Sequence, residues 1–285
     1  MELKIIYNKP LILGEGPIWD IRTQRLYFVD ILDRKLFAYD YESELSKIYQ
    51  FEEFVSCVAL TSNPEEILIA LESGIYRFDL NQEEKVLVSQ PETKDNFRFN
   101  DGAVTPWGSW LLGSMNNLNN GENAPLLPDA TLYEIKKDKT YPILNMVTIS
   151  NGIVFEDSYV YFIDSVKNSV RRFKYINGNL ENETLIFQFN GSGSLDGMCL
   201  SESRKLYIAN WAGYQIIVFD LKTESVINYI PVPAKNPTSC TFGGPKMNQL
   251  FISTSNNGED KPEEISGIYS IELEDLGFEE PILNW

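Results

Sequence analysis

Six polar residues, Glu15, Ser56, Asn100, Asn151, Asp196 and Ser239, recur at one phase of the chain. Each lies 9–11 residues ahead of the second residue of a short β-rich run, at Leu26, Ile67, Trp110, Val160, Leu206 and Leu250. Two carboxylates (Glu15, Asp196) and two amides (Asn100, Asn151) in this set offer oxygen alone as a ligand atom. Carboxylates brought together at the mouth of a low-dielectric channel repel one another unless a cation intervenes. Oxygen donors with water suit a hard divalent ion such as Ca²⁺, Mg²⁺ or Mn²⁺, held with modest affinity by so few charges. Any one Asn-Gly or Asp-Gly pair reads equally well as a turn; the shared phase favours ligands.

The rest of the composition narrows the chemistry. The 285 residues include no histidine, which excludes Ser-His-Asp and Cys-His nucleophile systems and imidazole-bound zinc. Cys57, Cys199 and Cys240 read as small apolar packers of inner strands rather than nucleophiles. A formal charge of −17 argues against nucleic acid as a partner. No apolar run approaches the ~20 residues of a membrane span, and no signal peptide is visible, so the expected compartment is the cytoplasm. Other candidates are Arg98, two residues before Asn100, as a contact for an anionic or hydroxyl-rich ligand, and Trp211 and Tyr214, which could stack on a sugar face.

Positioning these residues falls to the repeat. The marker residues step by 41, 43, 50, 46 and 44 positions, a period of short strands that predicts β-propeller blades. A third strand follows each marker, and a fourth follows in five repeats; the sixth runs out of chain. Glu2–Tyr7 has no partner of its own and is expected to supply the outer strand of the last blade, closing the ring and removing two open edges. The expectation is an all-β, six-bladed β-propeller over residues 1–285 as one domain. The long Asn116–Ala130 connection in blade three is expected to act as a lid.

The segments Leu13-Gly14-Glu15-Gly16-Pro17-Ile18-Trp19-Asp20, Arg98-Phe99-Asn100-Asp101-Gly102, Ser150-Asn151-Gly152-Ile153, Leu195-Asp196-Gly197-Met198-Cys199 and Thr238-Ser239-Cys240-Thr241-Phe242-Gly243-Gly244 resemble the SMP-30/gluconolactonase/luciferin-regenerating family, which includes regucalcin-like proteins. The resemblance runs through nearly the whole chain. It implies a six-bladed propeller that holds one divalent cation, Ca²⁺ ahead of Mg²⁺, Mn²⁺, Zn²⁺ or Fe²⁺, and hydrolyses a small-molecule lactone, as a monomer or weak dimer. The positions matching Glu15, Asn151 and Asp196 bind the metal. That of Asp196 also moves protons, and those of Arg98 and Asn100 contact substrate. One stretch departs from the pattern: sugar-lactonase relatives often place an acid shortly after Gly-Thr-Met, whereas Gly113-Ser114-Met115-Asn116-Asn117-Leu118 has none until Glu122. The sugar itself is therefore open. An organophosphate-type ester hydrolase, a non-enzymatic cation-binding propeller and a metal-free scaffold stand as alternatives.

Overall fold

The marker runs are apolar at nearly every position rather than at every second one, the pattern of a strand covered on both faces. In the computed structural model, described over residues 2–92, 94–117, 126–137, 139–258 and 266–284, they are the second strands of six four-stranded antiparallel sheets. Blade one is β2 (Gly14–Asp20), β3 (Arg25–Asp30), β4 (Lys35–Asp40) and β5 (Leu45–Gln50); blade two is β6 (Val55–Leu60), β7 (Glu66–Leu71), β8 (Gly74–Asp79) and β9 (Lys85–Ser89). Blade three is β10 (Phe97–Val104), β11 (Trp110–Asn116), β12 (Ala130–Lys136) and β13 (Lys139–Val147); blade four is β14 (Ser150–Glu156), β15 (Tyr159–Asp164), β16 (Ser169–Ile176) and β17 (Asn179–Gln188). Blade five is β18 (Ser194–Leu200), β19 (Lys205–Trp211), β20 (Gln215–Asp220) and β21 (Ser225–Pro231). Blade six takes β22 (Asn236–Gly243), β23 (Gln249–Ser255) and β24 (Ile268–Glu272) from late in the chain and β1 (Lys4–Tyr7) from its start. The protein is a six-bladed β-propeller, and no α-helix occurs among the described residues.

The expected outer strand is in place: Lys4 pairs Ser270 and Ile5 pairs Tyr269. Tyr7 then meets Phe28 and Phe37 edge-on at 5.5 and 5.3 Å, so its ring seals the end of the strand against blade one. By density of contacts the chain groups into two compact units. Unit 1 comprises residues 1–52 and 189–280, with blades one, five and six; unit 2 comprises residues 53–188 and 281–285, with blades two, three and four. Trp19, Phe28, Phe37 and Phe251 centre the core of the first, Phe99, Trp110, Leu112 and Phe162 that of the second. Fully burying each such side chain contributes about 1.5–3 kcal/mol. In unit 1 the inner strand β22 packs against β2 and β18; in unit 2, β10 packs against β6 and β14.

Candidate functional site

All six inner strands depart from regular pairing at the phase of the polar residues. The register shifts between Glu15 and Ile18, Val55 and Cys57, Phe99 and Gly102, Asn151 and Ile153, Leu195 and Met198, and Pro237 and Ser239. A bulge inserts an unpaired residue and re-aims its side chain. The Asn-Gly and Asp-Gly pairs are thus not turns. They lie within strands, where glycine lets backbones pack closely: a Cβ on Gly197 would overlap the Ser239 side chain of the next inner strand.

In unit 2 the structure brings Arg98, Asn100 and Asn151 into one hydrogen-bonded chain. Arg98 Nη1 donates to Asn100 Oδ1 at 2.6 Å and to Phe99 O at 2.9 Å. Asn100 Nδ2 donates to Ser150 O at 2.7 Å and to Asn151 Oδ1 at 3.1 Å. Asn151 Nδ2 donates to Ser165 Oγ at 2.7 Å, which fixes the amide so that its oxygen, the only atom able to ligate a cation, is turned to Asn100. Arg98 is 2 % exposed, a buried cation and not a surface one. Asp101, which sequence reasoning did not single out, shares the bulge with Asn100. Burial pushes its carboxyl up to about 6, against the lowering effect of the Gly102 N–H at 2.7 Å.

In unit 1 Glu15 and Asp196 are each buried, at 6 % exposure. Glu15 Oε2 accepts the N–H of Gly16, whose φ of 52° places that residue in the left-handed region. Among the described residues no three Cys, Asp or Glu side chains gather as a metal cluster, so an ion here would need amide oxygen as well. Oxygen donors of the kind each unit buries, the Glu15 and Asp196 carboxylates in unit 1 and the Asn151 amide in unit 2, suit a hard divalent cation.

The remaining candidates fall into place less sharply. Ser56 and Ser239 are buried at the expected phase. Trp211 ends β19 half-buried, and Tyr214, 43 % exposed, lies in the turn that follows. Burial and the neighbouring Cys240 thiol, 3.6 Å away, push the Cys199 thiol up, the reverse of what a nucleophile requires. The expected lid falls largely on residues 118–125, outside the described residues. The stretch that lacks an acid in sequence acquires carboxylates through the fold: Asn116 Nδ2 donates to Asp129 Oδ2 at 3.2 Å and Asn117 Nδ2 to Glu72 Oε1 at 3.4 Å.

Residues 13–256 match the model of the SMP-30/gluconolactonase/LRE-like region. A Bacillus subtilis (strain 168) protein named as a candidate sugar lactone lactonase is 30 % identical over 280 residues, covering 94 % of each chain. Regucalcin of Xenopus laevis is 28 % identical over 292 residues, covering 95 % of this chain and 94 % of its own. The solved structure of a luciferin-regenerating enzyme superposes with a TM-score of 0.91 at 24 % identity, covering 100 % of this chain and 99 % of that one. The chain belongs to the SMP-30/gluconolactonase/LRE-like family.

Proposed function

We propose that the protein is a metal-dependent hydrolase that opens a sugar-type (aldono-) lactone in the cytoplasm, with Glu15, Asn151 and Asp196 holding one divalent cation, Ca²⁺ first among the candidates. The observation that carries this reading is the buried, oxygen-only set of Glu15, Asn151 and Asp196, each at an inner-strand bulge of a chain whose relatives include a named lactonase. When bound, the cation supplies Lewis-acid polarisation of the lactone carbonyl.

The side chains do the rest. Asp196, as a carboxylate, accepts a proton from the attacking water and returns it to the ring oxygen as the C–O bond breaks, a role typically worth about 10²–10⁴ in rate. Asn100 meets the substrate with its amide oriented by Arg98 on one side and Ser150 and Asn151 on the other. Both amide N–H groups are spent on Ser150 O and Asn151 Oδ1, so what Asn100 offers the substrate is its fixed amide oxygen, an acceptor for a lactone hydroxyl.

Turnover of a panel of aldonolactones and phosphotriesters by the wild type and Asp196→Asn tests the proposal. Lactone opening that stops with a chelator, returns with Ca²⁺ or Mn²⁺, and falls about 10²-fold or more in Asp196→Asn is expected. Wild-type turnover in Asp196→Asn removes Asp196 from the mechanism. Phosphotriester cleavage without lactone opening changes the substrate class, and no hydrolysis at all leaves a cation-binding propeller.

A further inference from the structure

The three blades that carry the proposed ligands place an Asp or Asn at one ladder position where the other three carry Leu, Ser or Thr; blade two holds the Phe54 N–H instead through Glu72, at 3.1 Å. Asp30, Asp164 and Asn210 occupy one ladder position of β3, β15 and β19, opposite Gly14, Ser150 and Leu195, each the residue just before a proposed ligand. At that position the other blades carry Leu71 opposite Val55, Ser114 opposite Phe99 and Thr254 opposite Pro237.

The side chains at this position differ in what they hold. The Asp30 carboxylate accepts the backbone N–H of Ile12 at 2.7 Å and of Leu13 at 3.0 Å. Asp164 accepts those of Thr148 at 3.0 Å and Ile149 at 3.2 Å. In both blades the clamped amides lie three and two residues ahead of the ligand, Glu15 in one and Asn151 in the other. In blade five the polarity is reversed but the place is kept: Asn210 Nδ2 donates to Ser192 O at 3.1 Å, four residues ahead of Asp196. Asp30 and Asp164 are 1 % exposed and Asn210 is fully buried. Ser114 and Thr254 instead bond towards the third strand, through Thr131 N and Gly267 N.

We infer that Asp30, Asp164 and Asn210 are positioning residues, clamping the backbone that leads into Glu15, Asn151 and Asp196 and thereby setting where the cation's ligands stand. The inference rests on the ligand assignment proposed above. Taking the acceptor from a partly buried N–H leaves it unsatisfied, and in Asp164→Asn facing an NH2 group, so the segment must shift to find a new partner. A ligand carried on that segment moves with it, and supporting residues of this kind typically govern metal affinity by about 10–100-fold. Asp30 and Asp164 also bond the turns behind them, to Asp33 N at 3.2 Å and Val166 N at 3.3 Å, a purely structural role that the test must separate.

Calorimetric titration of Ca²⁺ and Mn²⁺ into wild type, Asp164→Asn, Asn210→Ala and Ser114→Ala, with the melting temperature of each metal-free protein, makes that separation. Asp164→Asn and Asn210→Ala are expected to weaken cation binding by about 10–100-fold. Ser114→Ala, at the equivalent position of a blade without a ligand, is expected to lower the metal-free melting temperature yet bind as the wild type does. A lowered melting temperature with wild-type affinity in both clamp variants makes the clamps structural and overturns the inference. A wild type that binds neither cation overturns the ligand assignment, and the inference with it. Should Asp164→Asn, which keeps one acceptor oxygen and sets an NH2 group against the other backbone N–H, fail to fold, Asn210→Ala, which removes the single bond to Ser192 O, decides the question.

Discussion

Two carboxyls are held near neutrality by burial with little compensating charge. Burial pushes Glu280 up to about 7, offset in part by the Thr241 hydroxyl, which donates to it at 3.3 Å. Asp101 reaches about 6 in the same way. A carboxyl raised on folding binds its proton more tightly in the native than in the unfolded state, so its contribution to stability declines as pH rises through the interval between the two values. For Glu280 that interval runs from its ordinary 4.5 to about 7. Glu280→Gln should therefore remove part of the decline between pH 5 and pH 8 and gain on the order of 2 kcal/mol above pH 7. Urea midpoints of both proteins at the two pH values measure it; equal slopes would place the Glu280 carboxylate in water. The motif around Asn100 was legible in the sequence and Asp101 stood inside it, but burial is set by residues far away in the chain. Asp30, Asp164 and Asn210 were also in view, as polar ends of apolar runs. A polar residue at a phase where the strand is covered on both faces was the available signal.

At the scale of strands and sheets, the repeat phase located the blades: each marker residue falls in the second strand of one sheet, and Glu2–Tyr7 contains β1. The bulges were not legible, because Asn-Gly and Asp-Gly suit both a turn and a strand irregularity, and only the pairing partner distinguishes them. Their cost is close packing. Gly113 of β11 faces the bulge at Asn100 and Asp101, and a Cβ there would overlap the Ser150 side chain, whose backbone carbonyl holds the Asn100 amide. Gly113→Ala is expected to cost about 1–3 kcal/mol by overpacking. Because the clash is with one side chain, Ser150→Gly should recover much of that loss in the double variant, a coupling that a denaturant-based mutant cycle reads directly. Additive losses would locate the strain elsewhere.

On the scale of the whole molecule, the last blade depends on the first strand of the chain. Without residues 2–7, β24 presents a row of unpaired backbone groups, and Phe28 and Phe37 lose the Tyr7 ring. Deletion of those residues is expected to lower stability by on the order of 4 kcal/mol and to produce concentration-dependent association on size-exclusion chromatography. Tyr7→Ala should lower stability without changing the elution volume, since the edge stays paired. Unchanged elution of the deleted form would mean that β24 is shielded by something other than β1.

The same pairing sets an order of events during synthesis. Lys4 emerges from the ribosome long before its partner Ser270, by 266 residues, or roughly 10–50 s at ordinary elongation rates. For all that time the pairing edge of β1 has no partner strand, although Tyr7 can already meet Phe28 and Phe37. The last sheet is complete only once β24 has been made, so its outer strand is the first synthesised and waits for the other three.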